Sequence, residues 1–293
     1  MYGFFALALA FACSLQAGTI QLFDYGTLGG TTAYATGMNA SGQAVGYSTT
    51  STGATHAFVL SAGHMTDIGT LGGPTGTSYA ECINDSGIVA GYSTTTGSTN
   101  NHAFTYAAGT GTRTDIDGTS GTSYAYGINN SGQITGAQGA SIFSSLHGFI
   151  DTGGSFANTG AYAGVGINSS GELVSSATVG SYTHAETYSA GTITGLGSLA
   201  GFNSVGNAIN ASGQVVGESD YNAFNFTRAF LYSGGVMKDL GTLGGNHSQA
   251  IGLNSLGQVV GDAYSTNSKY LNGVPRPPRS TTRSSTPTAR CTT

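Results

Sequence analysis

Short runs of β-branched, aromatic and small apolar residues alternate along most of this chain with clusters of Gly, Ser, Thr and Asn. Tyr34–Met38, Gln43–Tyr47, His56–Leu60 and Met65–Gly69 form one set of four such runs. Tyr79–Ile83, Ile88–Tyr92, His102–Tyr106 and Arg113–Ile116 form the next. Runs of this length bounded by turn residues predict strands. A helical pattern fails, because 3.6-residue periodicity is almost missing. With Gly at 49 of 293 positions, each helical Gly would also cost about 1 kcal/mol relative to Ala.

The sets recur with a marker. Asn39-Ala-Ser-Gly42, Asn84-Asp-Ser-Gly87, Asn129-Asn-Ser-Gly132, Asn168-Ser-Ser-Gly171 and Asn210-Ala-Ser-Gly213 are followed by a worn copy, Asn254-Ser-Leu-Gly257. The asparagines are 45, 45, 39, 42 and 44 residues apart. Asn opening a type I turn can accept a hydrogen bond from the backbone two residues on. Gly at the fourth position takes the left-handed conformation of a bulged hairpin. Four strands per 40-odd residues is the size of a propeller blade. The pattern therefore predicts an all-β fold, a β-propeller of six or seven four-stranded blades, with an open β-array or sandwich as the alternative. Ile20–Gly30 matches the fourth-strand elements Met65–Gly73 and Met237–Gly245. That offset predicts a strand that completes the last blade and closes the ring. Apolar residues such as Met38, Val45, Phe58, Val59, Leu60, Ile68 and Leu71 need neighbouring blades to bury them.

The repeats set one domain, residues 18–262. Ahead of it, 1–17 reads as a signal peptide, an apolar run too short to span a bilayer followed by small residues. Behind it, 263–293 carries four of five prolines and five of eight basic residues without an acid. That composition predicts a disordered tail. Two explanations stand: a true basic, Pro-rich tail that contacts cell-wall or surface polymers, or a shifted reading frame, which the break in the middle of a unit favours. All 13 acids lie between Asp24 and Asp262, a stretch with only Arg113, Arg228 and Lys238 as basic residues. Such a surface argues against nucleic acid and against anionic membranes. The repeats imply no oligomeric state. Cys82 fills the slot held elsewhere by Gly37, Gly127, Gly166, Ala208 and Gly252, a tight position that predicts a packed thiol rather than a nucleophile.

Four histidines occupy one repeat slot: His56, His102, His147 and His184. They are the candidate binding residues. A shared channel would let them hold a transition metal, but blades spread equivalent residues around a ring. The expectation is strand-end histidines bonded to a neighbouring blade, with no metal and no cofactor. His64 and His247 fall outside the slot, on expected loops. Asp24, Asp67, Asp115 and Asp239 also recur and are expected to cap turn amides rather than bind calcium or act as an acid–base pair. Glu186, Glu218 and Asp220 are unrepeated acids to which the sequence assigns no partner. The sequons at the repeated Asn-x-Ser turns are explained by turn chemistry, and the Gly-Gly pairs lack the helix and Lys of a phosphate loop.

His56-Ala-Phe58 and His102-Ala-Phe104, with weaker copies at His147-Gly-Phe149, His184-Ala-Glu186 and Arg228-Ala-Phe230, resemble the bacterial extracellular repeat proteins of the HAF family, named for this motif. The companion elements match best at 83–91 and 239–245. The resemblance covers residues 20 to 262 and implies secretion and no defined catalytic activity. Members often end in a sorting segment, a pattern from which this tail departs. The expected function is a secreted or cell-surface, non-enzymatic binding or structural module for extracellular glycan or protein. The alternative is a polysaccharide hydrolase or lyase on a propeller scaffold.

Overall fold

The computed structural model describes residues 23–265, apart from 99, 119–120, 141–145, 161, 201 and 222–225. The expected leader and nearly all of the expected tail lie outside the described residues. Within them the chain is all β, with no helix.

Five four-stranded antiparallel sheets and one two-stranded sheet follow one another in chain order. Unit 1 is β1 (Gly29–Met38), β2 (Ala44–Thr50), β3 (Thr55–Ser61) and β4 (His64–Gly69). Unit 2 is β5 (Ser78–Ile83), β6 (Ile88–Thr94), β7 (Asn101–Ala107) and β8 (Thr112–Asp115). Unit 3 is β9 (Thr122–Ile128), β10 (Ile134–Gly139), β11 (His147–Asp151) and β12 (Phe156–Asn158). Unit 4 is β13 (Gly166–Ile167), β14 (Leu173–Val179), β15 (Tyr182–Ser189) and β16 (Thr192–Gly197). Unit 5 is β17 (Ser204–Ile209), β18 (Val215–Asp220), β19 (Thr227–Ser233) and β20 (Val236–Asp239). Unit 6 holds β21 (Gly244–Leu253) and β22 (Val259–Ser265). His64 and His247, expected on loops, lie in β4 and β21: His64 pairs with Ser61 across its hairpin, and His247 sits in the irregular stretch of β21 between the paired Gly244 and Ser248. Of the expected closing strand, Phe23–Thr27 form no strand, Leu28 makes an isolated parallel bridge to Thr50, Gly29 and Gly30 begin β1 of unit 1 itself, and 20–22 lie outside the described residues.

The Asn turn joins first and second strands as the sequence predicts. In unit 1 the Gly42 amide donates to the Asn39 carbonyl at 3.1 Å, and Gly42 sits at φ 77°. Every first strand but β13 then carries an irregularity at the same place in its pairing, seen at Ala35/Gly37, Ala80/Cys82, Gly206/Ala208 and Ala250/Gly252, and β1 and β21 carry a second one nearer their starts. This bulge presses a first-strand carbonyl against the second strand. A Cβ on Gly91 would meet the Tyr79 carbonyl oxygen at 2.0 Å, so only glycine fits there. Across the sheet from this glycine lies the phenylalanine of the third strand: Gly46 faces Phe58, Gly91 faces Phe104, Gly136 faces Phe149 and Gly217 faces Phe230.

The core lies between sheets. Val45, Ala57, Val59 and Ile68 of unit 1 pack on Ala80, Ile83, Val89 and Phe104 of unit 2. Cys82, Ala90 and Ala103 then pack on Ala125, Ile128, Ile134 and Phe149 of unit 3. Units 4 and 5, and units 5 and 6, pack likewise. Cys82 is fully buried, as its slot predicts. Packing runs in chain order, and among the described residues no comparable packing joins the first sheet to the last. Met38, expected in the core, is 43% exposed because no described sheet covers the outer side of β1.

Candidate functional site

The six asparagines do more than close turns. In unit 2 the Asn84 Oδ1 accepts from the amides of Ser86 and Ile88, at 3.1 and 3.0 Å, while its Nδ2 donates to the carbonyl of Asn129 at 3.1 Å. The same reach runs from Asn39 to Asn84 (3.0 Å), Asn129 to Asn168 (2.9 Å), Asn168 to Asn210 (3.1 Å) and Asn210 to Asn254 (3.0 Å). A ladder of five rungs thus crosses every joint. Asn39, Asn84, Asn129, Asn168 and Asn210 are all at most 4% exposed, so in the folded protein these sequons offer no free amide for a glycan. A second ladder uses serine. The third-strand alanine amide donates to a serine hydroxyl of the next unit, as in Ala57 to Ser78 (2.8 Å) and Ala103 to Ser123 (2.8 Å).

The recurring aspartates cap turns: Oδ1 of Asp67, Asp115 and Asp239 accepts the amide two residues on, at 2.7, 3.0 and 2.6 Å. The other oxygen, Oδ2, corrects an expectation. Nδ1 of His56 lies 2.8 Å from Oδ2 of Asp67, and Nδ1 of His102 lies 2.8 Å from Oδ2 of Asp115. These histidines bond within their own sheet and not to a neighbouring blade, because the antiparallel register of third and fourth strands sets the two side chains side by side. His184 reaches onward instead, donating from Nε2 to the Phe202 carbonyl at 2.7 Å. Arg228 holds the slot in unit 5, its guanidinium 4.7 Å above the Tyr221 ring. The four histidines are not brought together, and among the described residues no three of His, Cys, Asp and Glu converge as a metal site.

Two places depart from the repeat. The first is a cleft of about 350 Å³ in unit 3, lined by Gly121, Thr122, Gln138, Gly139, Ala140, His147 and Asn158. By register Asn158 stands where Asp67 and Asp115 stand, opposite Phe149 as they are opposite Phe58 and Phe104. Gln138 stands where Ser48 and Ser93 accept the amides of Leu28 and Leu71, each at 2.9 Å. His147, one of the four candidates, is exposed here.

The second is a face of tyrosines across units 1 to 3. Tyr34, Tyr47, Tyr79, Tyr92 and Tyr124 follow one another with ring centroids 4.9 to 5.2 Å apart, and Tyr126 lies 6.1 Å beyond. Beneath them sits Glu81, 8% exposed. Burial raises its carboxyl to about 8. Burial and the nearby Glu81 also raise the phenols of Tyr47, Tyr92 and Tyr126. Glu81 occupies the bulge position, where Thr36 donates to the Ala80 carbonyl (2.7 Å) and Asn207 to the Ala250 carbonyl (2.8 Å). A carboxyl in that slot can act as a donor only while protonated, which agrees with the direction of its shift. Sequence reasoning passed over Glu81, although it was the single acid in a slot otherwise filled by neutral residues. Of the unrepeated acids it did single out, Glu186 accepts a hydrogen bond from the Ser175 hydroxyl at 2.7 Å, and Asp220 accepts from the Asn203 side-chain amide at 2.8 Å.

No protein-family model and no curated protein matches this sequence. The reading of the site therefore rests on its geometry. No helix among the described residues is long and apolar enough to cross a membrane.

Proposed function

We propose that this chain is a secreted or cell-surface repeat protein that acts as a non-enzymatic binding or structural module for extracellular glycan or protein. One observation carries the reading. The side chains that recur and could carry chemistry are committed to the scaffold: asparagine to the inter-unit ladder, aspartate to turn caps, His56 and His102 to those same aspartates. What faces outward is a set of hydroxyls, amides and tyrosines with few charges, the chemistry of a surface that recognises sugars or polar loops. The apolar run ahead of the repeats supports secretion, and the His-Ala-Phe resemblance belongs to the same reading.

The proposal includes closure of the sheets into a β-propeller of six or seven blades. Its support is that each first strand covers the preceding sheet while two end faces stay open. Tyr34 and Met38 are exposed on β1, and Val260 is 60% exposed on β22. A ring would bury the two ends together and remove both edges. Small-angle scattering checks this, a closed ring giving a shorter maximum dimension than an open stack. For function, the full chain on a glycan array, paired with a screen for polysaccharide cleavage, is expected to show binding without release of reducing ends. Catalytic release of reducing ends would overturn the non-enzymatic reading.

A further inference from the structure

We propose that the cleft of unit 3 is a binding site for neutral carbohydrate, with Gln138, His147 and Asn158 as its recognition groups; this rests on the binding-module reading above and names the ligand class.

The argument begins with what the repeat puts in the same place elsewhere. In units 1 and 2 the corresponding side chains close on one another. His56 and His102 are held by aspartate, and Ser48 and Ser93 hold the Leu28 and Leu71 amides of the segments that lead into their units. Unit 3 changes all of these partners at once. Asn158 replaces the aspartate, and its Oδ1 still caps the turn by accepting the Gly160 amide at 2.8 Å. Its Nδ2, a donor where Asp67 and Asp115 carry an acceptor, has no hydrogen-bond partner among the described residues. Gln138 replaces the serine, and Gly139 replaces Thr49 and Thr94, which removes bulk beside it. Gln138 and His147 are cross-strand neighbours in the β10–β11 ladder, and neither side chain has a hydrogen-bond partner among the described residues.

The result is an open space of about 350 Å³, within the range of about 300–1,000 Å³ that small-ligand pockets occupy. Among the described residues its polar groups are one imidazole, two carboxamides and the Thr122 hydroxyl, which already donates to the Asn101 carbonyl at 3.1 Å, and its lining contains no carboxylate and no Lys or Arg. Carboxamides and imidazole offer a donor and an acceptor a few ångströms apart. Vicinal sugar hydroxyls require that pairing, since each donates once and accepts once. Phosphate or sulfate would require cationic side chains, and an ammonium ligand would require an acid or an aromatic cage.

The test titrates the full secreted chain with glucose, galactose, mannose, xylose, N-acetylglucosamine and their short oligomers, followed by NMR or calorimetry, with galacturonate as a charged probe. Binding of at least one neutral sugar is expected, with a Kd on the order of 1 mM for a monosaccharide. Gln138→Ala and His147→Ala should each weaken it about tenfold. The double variant Gln138→Ser/Asn158→Asp restores the residues of units 1 and 2 and should also lose the sugar. Melting curves check that these variants fold, and the double variant is expected to be at least as stable as the parent. Leu256→Ser, in the turn of unit 6 and 83% exposed, should bind as the parent does, and Tyr34→Ala reports whether the separate tyrosine face carries the binding instead. Loss of sugar with Tyr34→Ala but not with the cleft variants would overturn the cleft assignment while leaving a glycan-binding module. Preference for galacturonate, or no response to any sugar at 50-fold the expected Kd (~50 mM), would overturn the carbohydrate assignment, and the protein-binding arm of the wider function would remain.

Discussion

The joint between units 1 and 2 and the joint between units 3 and 4 share one device and differ in everything else. Both carry an asparagine rung, 3.0 Å from Asn39 to Asn84 and 2.9 Å from Asn129 to Asn168. The first joint is filled with branched and aromatic side chains, Val45, Val59 and Ile68 against Ile83, Val89 and Phe104. The second brings backbone against backbone. A Cβ on Gly127 would lie 3.2 Å from the Gly166 Cα, and the Gly164 amide donates to the Gly136 carbonyl at 3.1 Å. Unit 4 also exchanges the Gly–Phe pair for Ser175 and Glu186, and β13 keeps only Gly166–Ile167 in register. The rung is thus the invariant of the stack, and side-chain packing is the variable. Where packing relaxes, in units 3 and 4, polar groups depart from the repeat, and the cleft opens there.

The comparison can be broken hardest at the phenylalanine slot. Phe104→Ala should cost about 3–5 kcal/mol, since a fully buried ring is removed from a filled joint. Glu186→Ala, in the same slot of unit 4, should cost only about 1–3 kcal/mol, chiefly by leaving the Ser175 hydroxyl without its acceptor. Chemical denaturation of both variants measures the gap, and equal losses would show the two joints to be alike.

A second effect is set by pH. Glu81 keeps its proton up to about 8 when folded, whereas the unfolded chain loses it near 4.5. The folded state therefore binds the extra proton between those values. Its stability is greatest below about pH 4.5, falls as pH rises toward 8, and is level above that. Glu81→Gln should flatten this slope and raise stability at pH 7 by about 3 kcal/mol. Stability curves of parent and variant that run parallel from pH 5 to 8 would contradict it.

The rung itself can be isolated. Asn84→Asp keeps the acceptor that caps Ser86 and Ile88 but removes the donor to Asn129, and should cost about 1–2 kcal/mol. Asn254→Asp, at the last unit, loses only a bond to its own Gln258 and should cost about 0.5 kcal/mol or less. Gly132→Val tests the turn alone. No atom lies within 4 Å of its Cβ site, so the expected loss of about 1–2 kcal/mol is backbone strain at φ 79°.

What could be read ahead of the structure was what depends on neighbours in sequence. Four strands per unit, the Asn turn, the left-handed glycine, the aspartate caps and the packed Cys82 all follow from spacing and local chemistry. The ladder was not read, because it joins residues about forty positions apart, although one signal was present. Aspartate or serine would cap the turn equally well, so the recurrence of asparagine alone pointed to a residue that must donate and accept together. The His56–Asp67 and His102–Asp115 pairs were missed for a related reason. Both residues recurred, but only the register, which sets Asp67 and Asp115 opposite Phe58 and Phe104, makes each aspartate the diagonal neighbour of the histidine two residues before that phenylalanine. The cleft was visible only as three separate departures, Gln138, His147 without its aspartate, and Asn158, which become one site once the strands are paired.

The central claim is that neighbouring units hold one another through these rungs. Native-state hydrogen exchange on the parent and on Asn84→Asp tests it most directly. The account predicts that protection falls together in unit 2, at Val89 and Phe104, and in unit 3, at Ile128 and Ile134. Lost protection confined to the Ser86 turn, with unit 3 unchanged, would contradict it.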